Sequence, residues 1–321
     1  MRVSDISEED LLARITPLLP LGSATLVGPG DDAAVVAAAG GAYVVTTDVL
    51  VAGRHFREDW TSGVDVGWRA VAANVADVAA MGAVPTALVT SLVLPASTAV
   101  DWVLELARGL GEACTHWGAG AVGGDLSSGD VLTVAVTAHG DLQGRAPVLR
   151  SNARPGDVLA HAGVLGRSAA GWALLAADQQ AATVPGAATA VQGFRRPQPP
   201  VAAGARAAEA GATAMMDVSD GLLRDADRMA RASGVHLDLD PRALAGATVE
   251  LADLAQLCAI DPLAWVLTGG EDHGLLATFP AGTALPEPFR PIGTVAAGTA
   301  QVTYGGRAPD VPGTGWDHFS P

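Results

Sequence analysis

Short apolar runs alternate with stretches of helical periodicity along this chain, and Gly, Pro and Asp separate them. Such alternation predicts a mixed α/β fold. Strands are predicted from Gly41 to Val51, from Thr86 to Leu94 and from Val131 to His139. Helices are predicted from Asp65 to Met81 and from Thr98 to Trp117. Because only 4% of the residues are aromatic, we expect a core of Ala, Val and Leu.

A segment rich in Arg, Pro and Gly, from Gly144 to Asp157, separates two apolar blocks. We predict a domain boundary there, with domains at 1–146 and 147–321. The second block is predicted to contain helices at 166–177, from 201 onward and at 221–233, and strands at 214–218 and 235–239. The stretch from Ala181 to Pro200 is rich in Ala, Gly, Pro and Gln, and we expect it to be an irregular connection.

The charge composition excludes several classes of protein. All 19 basic residues are Arg, so the chain has no lysine for a Walker A loop, a protein-kinase strand or a Schiff base. The net charge of −15 repels polyanions, so we expect neither nucleic acid nor an anionic membrane as a partner. A phosphate ligand would bind through bridging Mg²⁺ or local Arg.

The chain is expected to be cytoplasmic. Cys114 and Cys258 cannot form a disulfide framework. The acidic N-terminus lacks the basic and apolar regions of a signal peptide. The uncharged run from Met81 to Val100 holds Pro85 and Pro95, which argues against a membrane-spanning helix.

Five segments place an acidic residue, Asp in four of them, beside Gly, Ser or Thr at the end of an apolar run. They are GPGDDAAVV (28–36), VVTTDVLVAGRHF (44–56), GAVGGDLSSGD (120–130), MMDVSDGLLRD (215–225) and LTGGEDHGLL (267–276). Glycine lets a ligand approach the backbone closely, and carboxylate and hydroxyl oxygens suit Mg²⁺. Together with Asp77 on its helix, these segments predict a phosphate site that holds several metal ions.

Each residue also has a structural alternative. Aspartate near a helix start caps free N–H groups, as could apply to Asp217 and Asp220. Adjacent aspartates form turns, and threonine favours strands; these alternatives apply to Asp31, Asp32, Thr46 and Thr47. Asp77 lies in a helix rich in Ala and Val, where a carboxylate needs a partner or a cation.

Three further residues are candidates for ligand contacts. His55 lies near the end of the second Asp segment and could form a hydrogen bond with a phosphate. Arg150 could bind a phosphate or pair with a surface carboxylate. Trp316 could fill the core or form a platform for a flat ligand. The sequence contains no EF-hand loop, no G-x-S-x-G turn and no H-E-x-x-H helix.

Taken in order, the motifs resemble a known family. They are GDDAAV, TTDVLVAGRHF, NVADVAAMGAVP, GGDLSSG, LRSNARPGD, DVSDGL, TGGEDH and GWDHF. This series resembles the thiamine-monophosphate kinases, part of the superfamily that includes aminoimidazole ribonucleotide synthetase, and it covers nearly the whole chain. One departure is His273, where the family usually has Tyr after GGED.

The resemblance implies a fold and a reaction. The fold is the two-domain aminoimidazole ribonucleotide synthetase-like fold, whose N-terminal domains pair into a β-barrel in a homodimer. The reaction is ATP- and Mg²⁺-dependent transfer of the γ-phosphoryl group to thiamine monophosphate, giving thiamine diphosphate and ADP. The N-terminal domain would bind ATP and metal and form the dimer, and the C-terminal domain would complete the phosphate and substrate site.

The resemblance also implies roles for individual residues. The metal ligands would be Asp32, Thr46, Thr47, Asp48, Asp77, Asp125, Asp217 and Asp220. The ATP contacts would be Gly124, Asp125, Arg150 and Ser219. The substrate contacts would be His55, Glu271 and Trp316. No general base is assigned, because a phosphate monoester is largely ionised near neutral pH.

Two alternatives stay open at this point. Another ATP-dependent enzyme of the superfamily, such as aminoimidazole ribonucleotide synthetase, would share the fold but does not account for the GRHF and WDHF segments. A non-catalytic protein that binds Mg²⁺ and nucleotide would bind both without turnover.

Overall fold

The computed structural model describes residues 1–27, 35–179 and 183–316. These residues form two compact units. One unit comprises residues 1–78 and 83–144, and the other comprises residues 79–82 and the chain from 145 onward. The break after Gly144 falls within the segment rich in Arg, Pro and Gly.

The first unit contains a four-stranded sheet and its helices. The helices are α1 (Glu8–Ile15), α2 (Gly63–Ala80) and α3 (Val100–Trp117), and the strands are β1 (Thr25–Val27), β2 (Val35–Val36), β3 (Tyr43–Val51), β4 (Val84–Leu94), β5 (Gly120–Ser128) and β6 (Thr133–Asp141). The sheet order is β3-β6-β4-β5, with β4 and β5 parallel and the other pairs antiparallel. Strands β1 and β2 pair separately.

Helices cover one face of this sheet. Helix α2 is buried along nearly its whole length, and a side chain at Gly140 of β6 would collide with Val78 of α2. Helix α3 packs closely on α2, because Gly67 and Gly109 leave no room for a side chain against the other helix. On the opposite face, alternate residues of β3 are exposed.

The second unit contains a six-stranded sheet. Its helices are α4 (Arg167–Ala176), α5 (Ala187–Arg195), α6 (Val201–Glu209), α7 (Leu222–Ser233), α8 (Pro241–Cys258) and α9 (Pro262–Thr268), and its strands are β7 (Val158–Ala162), β8 (Ala214–Val218), β9 (His236–Leu239), β10 (Gly274–Phe279), β11 (Arg290–Ala296) and β12 (Gln301–Tyr304). The sheet order is β12-β9-β11-β7-β10-β8, and only the β12–β9 pair is parallel. Strands β8 and β10 are buried along their whole length.

The predicted mixed α/β fold is confirmed, and the predicted strands and helices lie within three residues of the observed ones. The irregular connection predicted from Ala181 to Pro200 is wrong over helix α5. Ala187, Ala190, Val191 and Phe194 lie on one buried stripe of that helix. The Gly and Pro residues of the segment favoured an irregular connection in the prediction. The apolar run from Met81 to Val100 forms β4 and the residues that flank it.

Among the helices in the described part of the chain, no single one has both the length and the apolar composition to cross a bilayer. The bent pair α8 and α9 meets that test only when its two members are combined.

Candidate active site

The first group of predicted ligands lies on β3 and α2. Side chains of a strand point alternately to its two faces, so Thr46 and Asp48 share the face that α2 covers. The Thr46 hydroxyl donates a 2.7 Å hydrogen bond to Oδ2 of Asp77. Asp77, which lies beside an apolar stripe of α2, thus has a hydrogen-bond partner. Three oxygen-bearing side chains, those of Thr46, Asp48 and Asp77, lie on the side of the sheet that α2 covers.

Thr47 points to the opposite face of the sheet. Its hydroxyl donates to the carbonyl of Val136 at 3.0 Å and accepts from the hydroxyl of Thr137 at 3.1 Å. The structure therefore does not bring the Thr47 side chain to Asp77. Metal binding by Thr47 stays a prediction.

His55 lies in the turn that follows β3, with its ring held by the backbone. Its Nδ1 accepts the main-chain N–H of Val51 at 3.0 Å. Because Nδ1 is an acceptor, the neutral ring carries its proton on Nε2. His55 is therefore oriented as a hydrogen-bond donor, which suits a phosphate oxygen.

Asp125 and Gly124 lie on β5, at the other edge of the same sheet. Two strands separate β5 from β3, which at about 4.8 Å per strand is about 14 Å along the sheet. Both residues are exposed, and a side chain at Gly124 would collide with the carbonyl of Thr90. A single copy of the chain thus does not place Asp125 beside Asp48.

A cavity of about 920 Å³ runs along β5. Its lining includes Gly124 and Asp125 together with apolar side chains of α3, Leu106 and Leu110 among them. An apolar wall with a few polar groups and this volume is typical of a pocket for a nucleotide-sized ligand. The remaining predicted ligand of this unit, Asp32, lies outside the described residues.

The second group of predicted ligands forms where β8 ends and β10 begins. These strands are antiparallel, with Val218 opposite Gly274, so the motif after β8 meets the motif before β10. The N–H of Glu271 donates to the Ser219 carbonyl at 2.7 Å, and the N–H of Trp316 donates to the Asp220 carbonyl at 2.8 Å. Three motifs far apart in sequence therefore meet around Ser219 and Asp220.

Glycines make this convergence possible. Gly221 has a φ of 118° and lies against the carbonyl of Thr268. A side chain at Gly270 would collide with the Ser219 carbonyl, and one at Gly315 would collide with the Asp220 carbonyl. The glycines of DVSDGL, TGGEDH and GTGW thus allow the close approach of three backbone segments.

A buried network of charges supports the loop after β8. Asp225 is fully buried, and its Oδ2 accepts the main-chain N–H groups of Ser219 at 3.0 Å and Asp220 at 2.9 Å. Arg228 reaches Oδ1 of Asp225 and Oδ2 of Asp220, at 2.7 Å each. Burial, together with the charge of Asp217, raises the pKa of Asp225 to about 7.

His273 is buried between two predicted ligands. Its Nδ1 lies 3.7 Å from Oδ2 of Asp217, and its Nε2 lies 3.8 Å from Oε2 of Glu271. Both distances exceed that of a hydrogen bond, so the attraction is ionic. Burial favours the neutral ring, but the two carboxylates outweigh it and raise the pKa of His273 to about 10. The imidazolium therefore supplies a cation in a chain without lysine.

Asp272 fixes the other side of the same segment. Its Oδ1 accepts the N–H of Ser168 at 2.7 Å, at the first turn of α4. Burial raises the pKa of Asp272 to about 7. Glu271 and His273 on either side of it adopt left-handed backbone conformations, with φ of 69° and 53°, which are uncommon outside glycine.

The last two candidates lie at the surface of the second unit. Arg150 is exposed, and its carbonyl accepts a 2.9 Å hydrogen bond from the Ser233 hydroxyl. Trp316 is 49% exposed, so it is not a core side chain. An exposed ring next to Asp220 can act as a platform for a flat or cationic ligand.

The donor chemistry fits Mg²⁺. Within the described ranges, no group of three or more His, Cys, Asp or Glu side chains could hold a metal ion by itself. Magnesium characteristically takes one or two protein carboxylates and completes its shell with phosphate and water. Thr46, Asp48 and Asp77 in one unit, and Asp217 and Asp220 in the other, supply hard oxygen donors of that kind.

Three residues of this region are not among the candidates predicted from the sequence. Asp225 and Arg228 support the loop after β8, and Asp272 anchors the segment before β10. The spacing of Asp225 and Arg228, three residues apart on a predicted helix, was the available signal, since such residues are neighbours on a helix surface.

Comparison with known proteins matches both halves of the chain. Residues 30–142 match the family described as AIR synthase related protein, N-terminal domain, and residues 154–282 match its C-terminal domain. A thiamine-monophosphate kinase of Mycobacterium tuberculosis is 48% identical over 288 residues, which is 88% of this chain and 82% of the relative. The chain belongs to the thiamine-monophosphate kinase family.

Solved structures of this family share the fold. The thiamine-monophosphate kinase of Stenotrophomonas maltophilia K279a is 32% identical, with a TM-score of 0.78 over 94% of this chain and 96% of that one. A structure described as AaThiL complexed with AMPPCP and TMP is 30% identical, with a TM-score of 0.79 over 99% of both chains. The two-domain fold that the motifs imply is thus confirmed.

Proposed function

We propose that this protein transfers the γ-phosphoryl group of ATP to thiamine monophosphate. The observation that carries the proposal is the alignment of 99% of the chain with a structure that holds AMPPCP and TMP. In the reaction a phosphate oxygen of thiamine monophosphate forms a bond to the γ-phosphorus. The bond from that phosphorus to the β,γ-bridging oxygen breaks, and ADP leaves with that oxygen.

The residues suit a reaction that depends on positioning and on charge. Phosphoryl transfer passes through a loose transition state with charge on the equatorial oxygens. The acceptor is already largely ionised near neutral pH, so no side chain has to remove a proton. His55 donates from Nε2 to a phosphate, Arg150 contacts ATP phosphate, and the Trp316 ring stacks on the thiamine.

Magnesium is the proposed cofactor. Its ligands would come from Asp32, Thr46, Thr47, Asp48, Asp77, Asp125, Asp217 and Asp220, and when bound it would neutralise phosphate charge and polarise the transferring group. Gly124, Asp125 and Ser219 would contact ATP, and Glu271 would contact the substrate.

The metal assignment predicts that Asp48→Asn and Asp217→Asn each lower kcat at least about 100-fold, because each removes a charge that binds the metal. Turnover is measured by chromatography of thiamine diphosphate. Asp227→Asn is the matched control, since Asp227 lies on α7 in an exposed pair with Arg231 and is expected to keep full activity. Near-normal turnover in both test variants would contradict the assignment.

We also propose a homodimer built on the first unit. Tyr43, Val45 and Val49 of β3 are 58%, 57% and 46% exposed on the face opposite the helices. An apolar face of this kind favours association. A second copy that places its β5 edge beside the β3 edge of the first would bring Asp125 to Asp48, which one chain separates by two strands.

Mixing two inactive variants tests this shared site. In a heterodimer of Asp48→Asn and Asp125→Asn subunits, one site carries both substitutions and the other carries neither. Random exchange should therefore restore about a quarter of the wild-type activity. No recovery in a mixture whose subunits exchange would contradict the shared site. Val45→Asp should yield monomers by light scattering, and an unchanged dimer would place the interface elsewhere.

A cytoplasmic location is part of the proposal. Cys114 and Cys258 are both free thiols, as is usual in a reducing compartment.

A further inference from the structure

The loop that joins β8 to α7 is held by two residues that the proposed function does not use. These are Asp225 and Arg228, and the loop they hold carries Ser219 and Asp220. Each of the four residues lies in the second unit, and every contact in this network is between 2.7 and 3.0 Å.

Asp225 acts on the backbone of the loop. Its Oδ2 accepts two consecutive N–H groups, from Ser219 and Asp220. Two N–H groups that point to one oxygen fix the direction of the peptide plane between them. Because this carboxyl group has no exposed surface, water does not compete for these two hydrogen bonds.

Arg228 acts on the side chain of the loop. One terminal nitrogen contacts Oδ1 of Asp225 and the other contacts Oδ2 of Asp220. The planar guanidinium fork sets the distance and angle between these two carboxylates, which a single ammonium group cannot do. The other oxygen of Asp220 is then held in a defined direction.

We infer that Asp225 and Arg228 are positioning residues, which fix the Ser219–Asp220 backbone and the rotamer of the Asp220 carboxylate for the phosphate and metal site. The catalytic consequence of this inference rests on the proposed function. Its structural consequence, a rigid loop in the protein without ligands, stands independently.

Hydrogen exchange of the protein without ligands tests the structural consequence. Asp225→Asn weakens the two backbone hydrogen bonds because an amide oxygen is a weaker acceptor than a carboxylate oxygen. Arg228→Ala leaves two neighbouring carboxylates without their bridge. In both variants the segment 217–221 should exchange faster than in the wild type. Arg231→Ala, on the same helix in an exposed pair with Asp227, is the matched control and should leave the exchange unchanged.

Kinetics test the catalytic consequence. Arg228→Ala should lower kcat at saturating ATP, thiamine monophosphate and Mg²⁺ by about tenfold, as expected for lost hydrogen bonds to charged groups. Arg228→Lys keeps the charge but not the fork, so it should show a similar loss. A structural role alone would lower the melting temperature and leave kcat of the folded protein unchanged.

These experiments test the positioning role of Asp225 and Arg228 separately from the proposed function. Wild-type kcat in Arg228→Lys, or wild-type exchange of 217–221 in both Asp225→Asn and Arg228→Ala, would overturn the inference. If the wild-type protein forms no thiamine diphosphate, the proposed function fails, and the exchange experiment still decides whether the two residues hold the loop.

Discussion

His273 is the buried cation of the β8–β10 junction, and replacing it should change how stability depends on pH. Its pKa is about 10 in the folded protein because Asp217 and Glu271 overcome the effect of burial. The ordinary value is 6.5. The folded protein thus keeps a proton that the unfolded chain loses. This contribution to stability is fully present below pH 6.5 and is lost as the pH rises through 10.

The size of the effect follows from these two values. Linkage over the range from pH 6 to pH 10 gives a loss of about 4 kcal/mol in the free energy of unfolding. His273→Gln removes the titration and keeps a polar side chain of similar size. Its free energy of unfolding should therefore fall by about 4 kcal/mol less than that of the wild type over this range.

The assay is urea unfolding at pH 6, 8 and 10 in the presence of EDTA, so that no metal competes for Asp217. Unchanged m-values in the variant would restrict the difference to stability. Groups remote from residue 273 titrate equally in both proteins and cancel in the comparison. The charge of His273 lowers the pKa of Asp272, so Asp272 titrates at higher pH in the variant, and the difference of about 4 kcal/mol is an upper value. Parallel pH dependence of the two proteins would refute the reasoning, because it would mean that His273 does not hold a proton in the folded state.

Two further predictions concern single contacts. Thr46→Val removes the 2.7 Å hydrogen bond to Asp77 at nearly constant volume and should lower the free energy of unfolding in urea by about 1.5–3 kcal/mol. The control Thr133→Val, at an exposed hydroxyl, should lower it by under about 0.5 kcal/mol. Equal losses would contradict a stabilising hydrogen bond between Thr46 and Asp77. Trp316→Ala should raise KM for thiamine monophosphate at least about tenfold more than KM for ATP. Trp172→Ala, at a similarly exposed ring, should raise neither, and equal effects of Trp316→Ala on both KM values would indicate a structural role.

The sequence predicts most of the elements where periodicity is strong. The alternation in β3 and β6 and the stripes of α2 and α3 were sufficient for that. Strands β7 and β10, buried along nearly their whole length, were not predicted, because a buried strand shows no alternation. Also not predicted were β5, β11, β12, α1, α8 and α9. Helix α5 was missed because the Gly and Pro residues of its segment favour an irregular connection, although its buried residues recur at helical spacing.

The candidate site, too, could be predicted only in part from the sequence. The sequence supplies the residue types, since Asp beside Gly or Thr predicts oxygen ligands near a flexible backbone. It cannot supply strand pairing, which decides that DVSDGL meets TGGEDH and that Asp48 and Asp125 lie at opposite edges of one sheet. Nor does a list of motif residues reveal Asp225 and Arg228, whose role depends on the direction of two main-chain N–H groups.

The most direct test of the central claim is formation of thiamine diphosphate by the purified protein with ATP, Mg²⁺ and thiamine monophosphate. Controls omit the acceptor or add EDTA. We predict a product that needs both metal and acceptor and that appears in equal amount with ADP. Folded protein that binds ATP but forms no thiamine diphosphate would contradict the claim.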